Sequence, residues 1–453
     1  MKRTNLILAL LMAVATSISA DNLSKNPAAA NQARTYFQEM LAGKRPAAPV
    51  FKDKAANLAL DSATVWHIWQ QVVQAETDGT LGNPVDIASA DPRTWAIADT
   101  LEPNNVAVNY YYITKGEKPA AGYPLYIYLH GSGPRQQEWS TGLKLAQMFK
   151  DAPSLYFIPQ IPQEGEWYRW YQVSKQWFIE KTLRQSMALG HANPRKLYIF
   201  GISEGGYGSQ RLASFYADYL AAAGPMAGGE PLKNAPAENL SNTAFSLLTG
   251  DKDAGFYRNM LTQGTKDALD SLQTLFPNEF PHNVKLLEGY GHGINYGLMT
   301  PWLSQYERNP YPTHFIWEDY EMHGRHRSGF YNIAVDKRPF DDPNKRTRYD
   351  VSIKDNVVSI TMQDITYTCT EKDPHWGIEL KFARSYAPST SGQFTIFLNN
   401  QLANLKKPVT VVLNGKTLYK GKVQPSASAR LKSLATFGDP LRIFPAAITI
   451  DVK

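Results

Sequence analysis

Residues Tyr198 to Gly206, Tyr-Ile-Phe-Gly-Ile-Ser-Glu-Gly-Gly, constrain the fold more than any other stretch of the chain. An apolar strand runs into Gly-x-Ser-x-Gly and then into a helix, so the backbone must reverse within a residue or two. Gly201 and Gly205 stand where strand and helix come closest, and a side chain at either would collide. Ser203 sits at the apex with its hydroxyl pushed clear of the sheet, which makes it the candidate nucleophile.

The surrounding pattern supplies the sheet that such a turn requires. Val106–Thr114, Pro124–Leu129, Ser154–Pro159 and Leu197–Phe200 read as strands. The second is almost uniformly apolar, as burial on both faces demands. A helix is expected around Lys175–Leu189, and Leu212, Phe215, Tyr216, Tyr219 and Leu220 form a helical stripe after the turn. Ala244–Leu248 and Val284–Leu287 are further strands, separated by a helix carrying Leu261, Ala268, Leu272 and Leu275. Strand and helix alternate as in a doubly wound α/β domain with a mostly parallel sheet.

Flanking regions differ in texture. Residues 1–20 read as a cleavable signal peptide: Lys2 and Arg3, an apolar run from Leu6 to Ala15, then small residues up to Ala20. The run is shorter than a bilayer span, and no cysteine offers a lipid anchor, so a periplasmic or secreted protein with no membrane span is expected. Residues 21–104 read as a helical region packing on the catalytic domain, with Phe37, Met40 and Leu41 on one face and Val65, Ile68, Trp69 and Val72 on another. The catalytic domain is expected over 105–336, and the proline-containing polar segment 337–346 reads as a linker. Residues 347–453 carry short β-type runs, with Asn414-Gly415 as a hairpin signal, and are expected to form a small all-β, sandwich-like domain.

Composition narrows the options. Net charge is +6, or +4 once Lys2 and Arg3 leave with the signal, too mild and too evenly mixed to imply nucleic acid. The single cysteine, Cys369, permits no internal disulfide and, in its β-type run, is expected to be buried and structural. His323, Arg325, His326 and Arg327 lack carboxylate or further histidine partners in the sequence and read as a solvated loop rather than a metal site.

A nucleophilic serine needs a base, and the base needs an orienting acid. Two later strands end in suitable loops. Ala244–Leu248 leads into Thr249-Gly250-Asp251-Lys252-Asp253, and Val284–Leu287 leads into Glu288-Gly289-Tyr290-Gly291-His292-Gly293. The intervals are 50 residues from Ser203 to Asp253 and 39 from there to His292, each with room for a helix and a strand. Asp251 competes with Asp253, which is favoured because it lies farther beyond the strand end. The loop His130-Gly131-Ser132-Gly133 follows Pro124–Leu129, and its glycines let the backbone approach a substrate carbonyl. One oxyanion donor is expected from Gly131 or Ser132 and the other from the N–H of Glu204. Trp167 and Trp170 lie beyond Ser154–Pro159, on the sheet edge where ligands bind in such folds, and are candidate substrate-stacking residues.

With these motifs in place, the chain resembles the α/β-hydrolase superfamily over roughly residues 105–310, in particular secreted bacterial esterases grouped with polyhydroxybutyrate depolymerases and feruloyl or acetyl-xylan esterases. The Gly201-to-Gly206 turn is also similar to that of prolyl-oligopeptidase-type catalytic domains. The resemblance implies a Ser203–His292–Asp253 triad, an acyl-enzyme, no metal or organic cofactor, and an ester substrate, with esters borne on plant polysaccharide (acetyl, feruloyl or methyl) as the leading expectation. Two readings stand beside it: a prolyl-oligopeptidase-type serine peptidase, and a non-catalytic binding protein on a hydrolase scaffold.

Overall fold

A computed structural model of the chain describes residues 26–104, 106–162, 169–342 and 344–453. The expected signal segment lies outside them. Among the described residues no helix is long and apolar enough to cross a membrane.

Three helices come first, α1 (Pro27–Leu41), α2 (Lys54–Ala59) and α3 (Ser62–Gln74). Asn26, Asp53 and Asp61 cap them, each accepting a hydrogen bond from the first turn. Then follow β1 (Val85–Asp86), β2 (Arg93–Ala96), β3 (Ala107–Lys115), β4 (Tyr123–Leu129), α4 (Arg135–Met148), β5 (Ser154–Pro159), α5 (Val173–Ala188), β6 (Ala192–Ile202), α6 (Glu204–Phe215), β7 (Ala222–Met226), β8 (Ala244–Gly250), α7 (Arg258–Leu275), β9 (His282–Leu287) and α8 (Met299–Leu303). The nine strands form one sheet in the order β1-β3-β5-β4-β6-β7-β8-β9, with β2 paired to β3. Pairing is parallel from β5 through β9, and β3 joins β5 antiparallel.

The sheet is buried on both faces, and β6 shows how. Leu197 and Ile199 enter one hydrophobic core, while Tyr198, Phe200 and Ile202 enter another on the opposite face. Strand β7, Ala-Ala-Gly-Pro-Met, is not legible as a strand because its residues have low β propensity. All five are buried, and a Cβ on Gly224 would stand 2.3 Å from the Met299 sulfur, so a larger residue there would displace that side chain of α8.

The sheet begins earlier than the expected boundary at residue 105, since β1 and β2 pair with β3. The later boundary moves too. Strands β10 (His314–Asp319), β11 (Gly329–Phe330) and β12 (Ile333–Lys337) pair with strands from the C-terminal part: β13 (Arg346–Lys354), β14 (Val357–Lys372), β15 (Glu379–Pro388), β16 (Gly392–Leu398), β17 (Val409–Leu413), β18 (Lys416–Gly421) and β19 (Ala446–Val452). One sheet runs β10-β13-β14-β17-β18 with β15 on β14, and another runs β11-β12-β16-β19. Segment 337–346 therefore joins two sheets of one β-rich unit instead of separating two domains. Trp317 stacks on Phe330 at 5.4 Å and on Tyr349 at 5.2 Å, which packs the sheets together. Asn414 and Gly415, both at positive φ, make the β17–β18 hairpin turn.

The C-terminal part also contains a helix, α9 (Ala427–Phe437), so it is not wholly β. The N-terminal helices pack on α9 as well as on α5: Ala427, Leu431 and Leu434 share a core with Phe37 and Trp69, and Arg184 meets Glu76 at 2.8 Å. The two halves of the molecule are further joined by a buried ion network. Arg308 and Arg442 both reach Asp439 at 2.7 Å, while Arg327 and Arg442 both bind Asp218. From Asp218 to Arg442 these five side chains span 224 positions of the sequence.

The His323–Arg327 loop is correspondingly not a solvated one. Arg325 pairs with Glu180, Arg327 with Asp218 and His326 with Asp319. Cys369 is exposed rather than buried, because it lies on a part of β14 that extends beyond its sheet.

Candidate active site

Ser203 occupies the turn between β6 and α6 with φ 56° and ψ −114°, a backbone conformation that costs a non-glycine residue of order 1–3 kcal/mol. The surroundings enforce it. Ser203 N donates to Met226 O at 3.0 Å, and Tyr207 N donates to Ser203 O at 3.1 Å. A Cβ at Gly201 would lie 2.3 Å from Gly205 O, and one at Gly205 would lie 2.0 Å from Leu129 O. Glycine at both positions lets α6 start directly above the sheet.

Strands β8 and β9 end beside this turn. His292 Nε2 lies 2.9 Å from Ser203 Oγ, and its Nδ1 lies 2.8 Å from Asp253 Oδ2. Burial pushes the Asp253 carboxyl up, but hydrogen bonds from Arg258 and His292 outweigh it and hold the group below its ordinary value. Ionised Asp253 can only accept, so Nδ1 carries the imidazole proton and Nε2 is left as an acceptor for the Ser203 hydroxyl. Arg258 is the residue that steadies the acid, with Nε 2.8 Å from both carboxylate oxygens and Nη2 2.6 Å from Oδ1. It does not face solvent.

Asp251 has a different task. Its Oδ1 accepts from Gly289 N at 2.9 Å, and its own N–H donates to Leu287 O at 3.0 Å. It ties the loop bearing His292 to the loop bearing Asp253 and does not bond the imidazole.

The loop after β4 passes close by, since a Cβ at Gly131 would lie 3.4 Å from that of Ser203. His130 holds it. Its Nε2 accepts from Ile161 N at 3.1 Å, and its Nδ1–H donates to Gly131 O at 2.8 Å. Burial lowers the His130 pKa to about 4, so the ring is neutral and keeps one donor and one acceptor. Ser132 is exposed at the same loop, and Glu204 opens α6 with its N-terminal partial positive charge.

Trp170 is not a surface for substrate. It is fully buried, its Nε1 donates to His130 O at 3.0 Å, and its body fills the space over Gly208. Its position is set by packing on α6, behind the loop. Trp167 lies outside the described residues.

A cavity of about 400 Å³ is bordered by Glu204, the residue after Ser203, and by Tyr207, Arg211, Phe256 and Trp376. Trp376 comes from the turn between β14 and β15. No signal in the sequence ties it to the site, because 173 residues separate it from Ser203. Another cavity, of about 1290 Å³, lies elsewhere, among α1, α5 and α9.

No family model and no curated protein sequence matches the chain. Similar solved structures include a thermostable esterase, 17% identical over 49% of this chain and 64% of that one, with a TM-score of 0.35. A poly(3-hydroxybutyrate) depolymerase from Bordetella parapertussis is 14% identical over 49% of this chain and 88% of its own, with a TM-score of 0.36. An esterase from Thermogutta terrifontis is 13% identical over 49% and 92%, with a TM-score of 0.37. The chain thus spans less than two thirds of the first of these, and likenesses this slight carry no assignment.

Proposed function

We propose that the chain is a serine hydrolase of the α/β-hydrolase type that cleaves carboxylic esters through an acyl-enzyme. One observation carries this reading: the unbroken hydrogen-bond line Asp253–His292–Ser203, converging from the ends of three parallel strands on a strained serine. Ser203 Oγ attacks the ester carbonyl as His292 Nε2 takes its proton. Asp253 holds the tautomer and stabilises the imidazolium. The N–H groups of Glu204 and of Gly131 or Ser132 receive the oxyanion, at about 3 kcal/mol per donor. The alcohol leaves with the proton from His292, and water then releases the acid by the same route. No step calls on a metal or an organic cofactor.

The finer reading is an exported enzyme acting on acetyl, feruloyl or methyl esters of plant polysaccharide. The signal-like segment 1–20 and the aromatic side chains lining the cavity that Glu204 borders support it. A peptidase would need a clamp for a peptide terminus. Two carboxylates of the adjoining cavity, Glu204 and Glu230, already have partners in the N–H of Arg169 and in Arg211.

The test is steady-state turnover of acetyl, feruloyl and methyl esters beside aminoacyl amides, for wild type and Ser203→Ala. Ester turnover lost in the variant is expected. Amide cleavage with inert esters would replace this reading by the peptidase one.

A further inference from the structure

Strand β14 is 16 residues long, and only its first part lies inside a sheet. Beyond Ile365 its sole partner strand among the described residues is β15, with Thr366 opposite Ser385 and Lys372 opposite Glu379. An isolated two-stranded ribbon is marginal in water, so an arm like this needs support at its tip. The tip is held against the α/β half from two sides. Tyr257 Oη donates to Asp373 Oδ1 at 2.8 Å, and Lys233 meets Glu379 at 2.7 Å. Trp376, between those anchors, packs edge-on against Phe256 at 4.8 Å and remains 48% exposed. Phe256 and Tyr257 both adopt left-handed backbone conformations, with φ 52° and 61°. Strain at two consecutive bulky residues is tolerated where a side chain must be aimed, and here it directs Phe256 toward Trp376.

The arm therefore forms one wall of the 400 Å³ cavity that Glu204, the residue after Ser203, also borders. Its lining combines ring faces with two arginines and three glutamates, of which Glu230 and Glu379 are ion-paired and Glu204 accepts from the Arg169 N–H. Arg211 binds Glu230 through two hydrogen bonds of 2.6 and 2.9 Å and lies 3.8 Å over the Tyr171 ring. Asn234 donates to the same carboxylate at 3.0 Å. With two of these glutamates paired and one arginine left to balance the third, the lining does not favour a strongly ionic ligand. Fixed donors and acceptors beside an aromatic platform suit a ring that carries hydroxyls, because each hydroxyl both gives and takes a hydrogen bond.

We infer that the arm, with Trp376 as its platform, forms a binding subsite for a neutral sugar residue next to the serine. This deepens the ester-hydrolase reading and rests on it only for the position of Ser203. The arm is a specificity element supplied by the C-terminal unit, and it faces the alcohol or acyl group that bears the sugar.

The experiment is calorimetric titration of the full-length Ser203→Ala protein with xylotriose and cellotriose, and with benzoate as an anionic aromatic comparison. At least one trisaccharide is expected to bind, and benzoate is not. Adding Trp376→Ala should weaken binding about tenfold or more, Trp376→Phe should retain part of it, and Lys381→Ala on the exposed side of the arm should leave it unchanged. Failure of both sugars to bind, binding indifferent to Trp376→Ala in a folded protein, or benzoate binding in their place would overturn the inference. Sugar binding by a chain whose wild type never turns over an ester would sink the hydrolase reading and leave the subsite standing. Ester turnover without sugar binding would do the reverse.

Discussion

Each side chain at the serine is specified by the bonds it makes. Asp253 bonds the imidazole and Asp251 bonds a backbone N–H of the neighbouring loop, so the two aspartates should differ sharply in effect. Asp253→Asn and His292→Ala are expected to lower kcat by about 10³–10⁴-fold. Asp251→Asn should stay within a few-fold, since the amide oxygen can still accept from Gly289. Pre-steady-state and steady-state rates on one activated ester check the ranking, and equal losses at both aspartates would contradict it. Ser203, Asp253 and His292 can be read in the sequence because glycines mark the strand ends that carry them. Trp376 cannot, and for Arg258, five residues after Asp253, the sequence leaves open whether it buttresses the acid loop or faces solvent. The first depends on an arm folding back across the molecule. The second depends on which way a helix-initial arginine turns, and only the buried carboxylate decides that.

At the scale of elements, the tight approach of α6 to β4 is the feature on which the turn depends. Gly205→Ala would bring a methyl group to 2.0 Å from Leu129 O, so urea denaturation should show a loss of about 1–3 kcal/mol or more. An unchanged midpoint would mean that the approach is looser than described. The loop after α7 is pinned to β13 by His314, whose ring nitrogens meet Glu279 at 2.7 Å and Asp350 at 3.1 Å. Burial works to lower the His314 pKa, but hydrogen bonds and charge from those two carboxylates raise it from 6.5 to about 9. A raised value means that the protonated form favours the folded state. Its stabilisation is complete below pH 6.5 and fades as pH rises through about 9. The melting temperature of the wild type should fall across that window, and His314→Gln should flatten the slope; a parallel slope in the variant would assign the dependence elsewhere. The strands of high β propensity are legible from sequence. Strand β7 is not, because small residues fit the narrow space beneath α8 rather than any intrinsic strand preference. The strands after residue 310 are legible one by one, but their assignment to two sheets is not, because pairing partners lie far apart in the chain.

For the whole molecule, the ion network of Asp218, Arg308, Arg327, Asp439 and Arg442 determines how the α/β and β-rich halves unfold. Burial pushes the Asp439 carboxyl up, but Arg308 and Arg442 outweigh it and keep it below its ordinary value. Arg442→Met leaves both aspartates short of a partner and should cost about 3–5 kcal/mol. In scanning calorimetry the wild type is expected to melt in one transition and the variant at markedly lower temperature. Separate transitions in the wild type would mean that the halves are not coupled through this interface. The β14–β15 arm has its own anchors on the α/β half, Tyr257 on Asp373 and Lys233 on Glu379. The chemistry proposed at the serine is tested most directly by the intact mass of the full-length protein after exposure to a fluorophosphonate. One adduct on wild type, mapped to Ser203 and absent from Ser203→Ala, is the expected result. No adduct on folded wild type, or the same adduct on Ser203→Ala, would contradict the account.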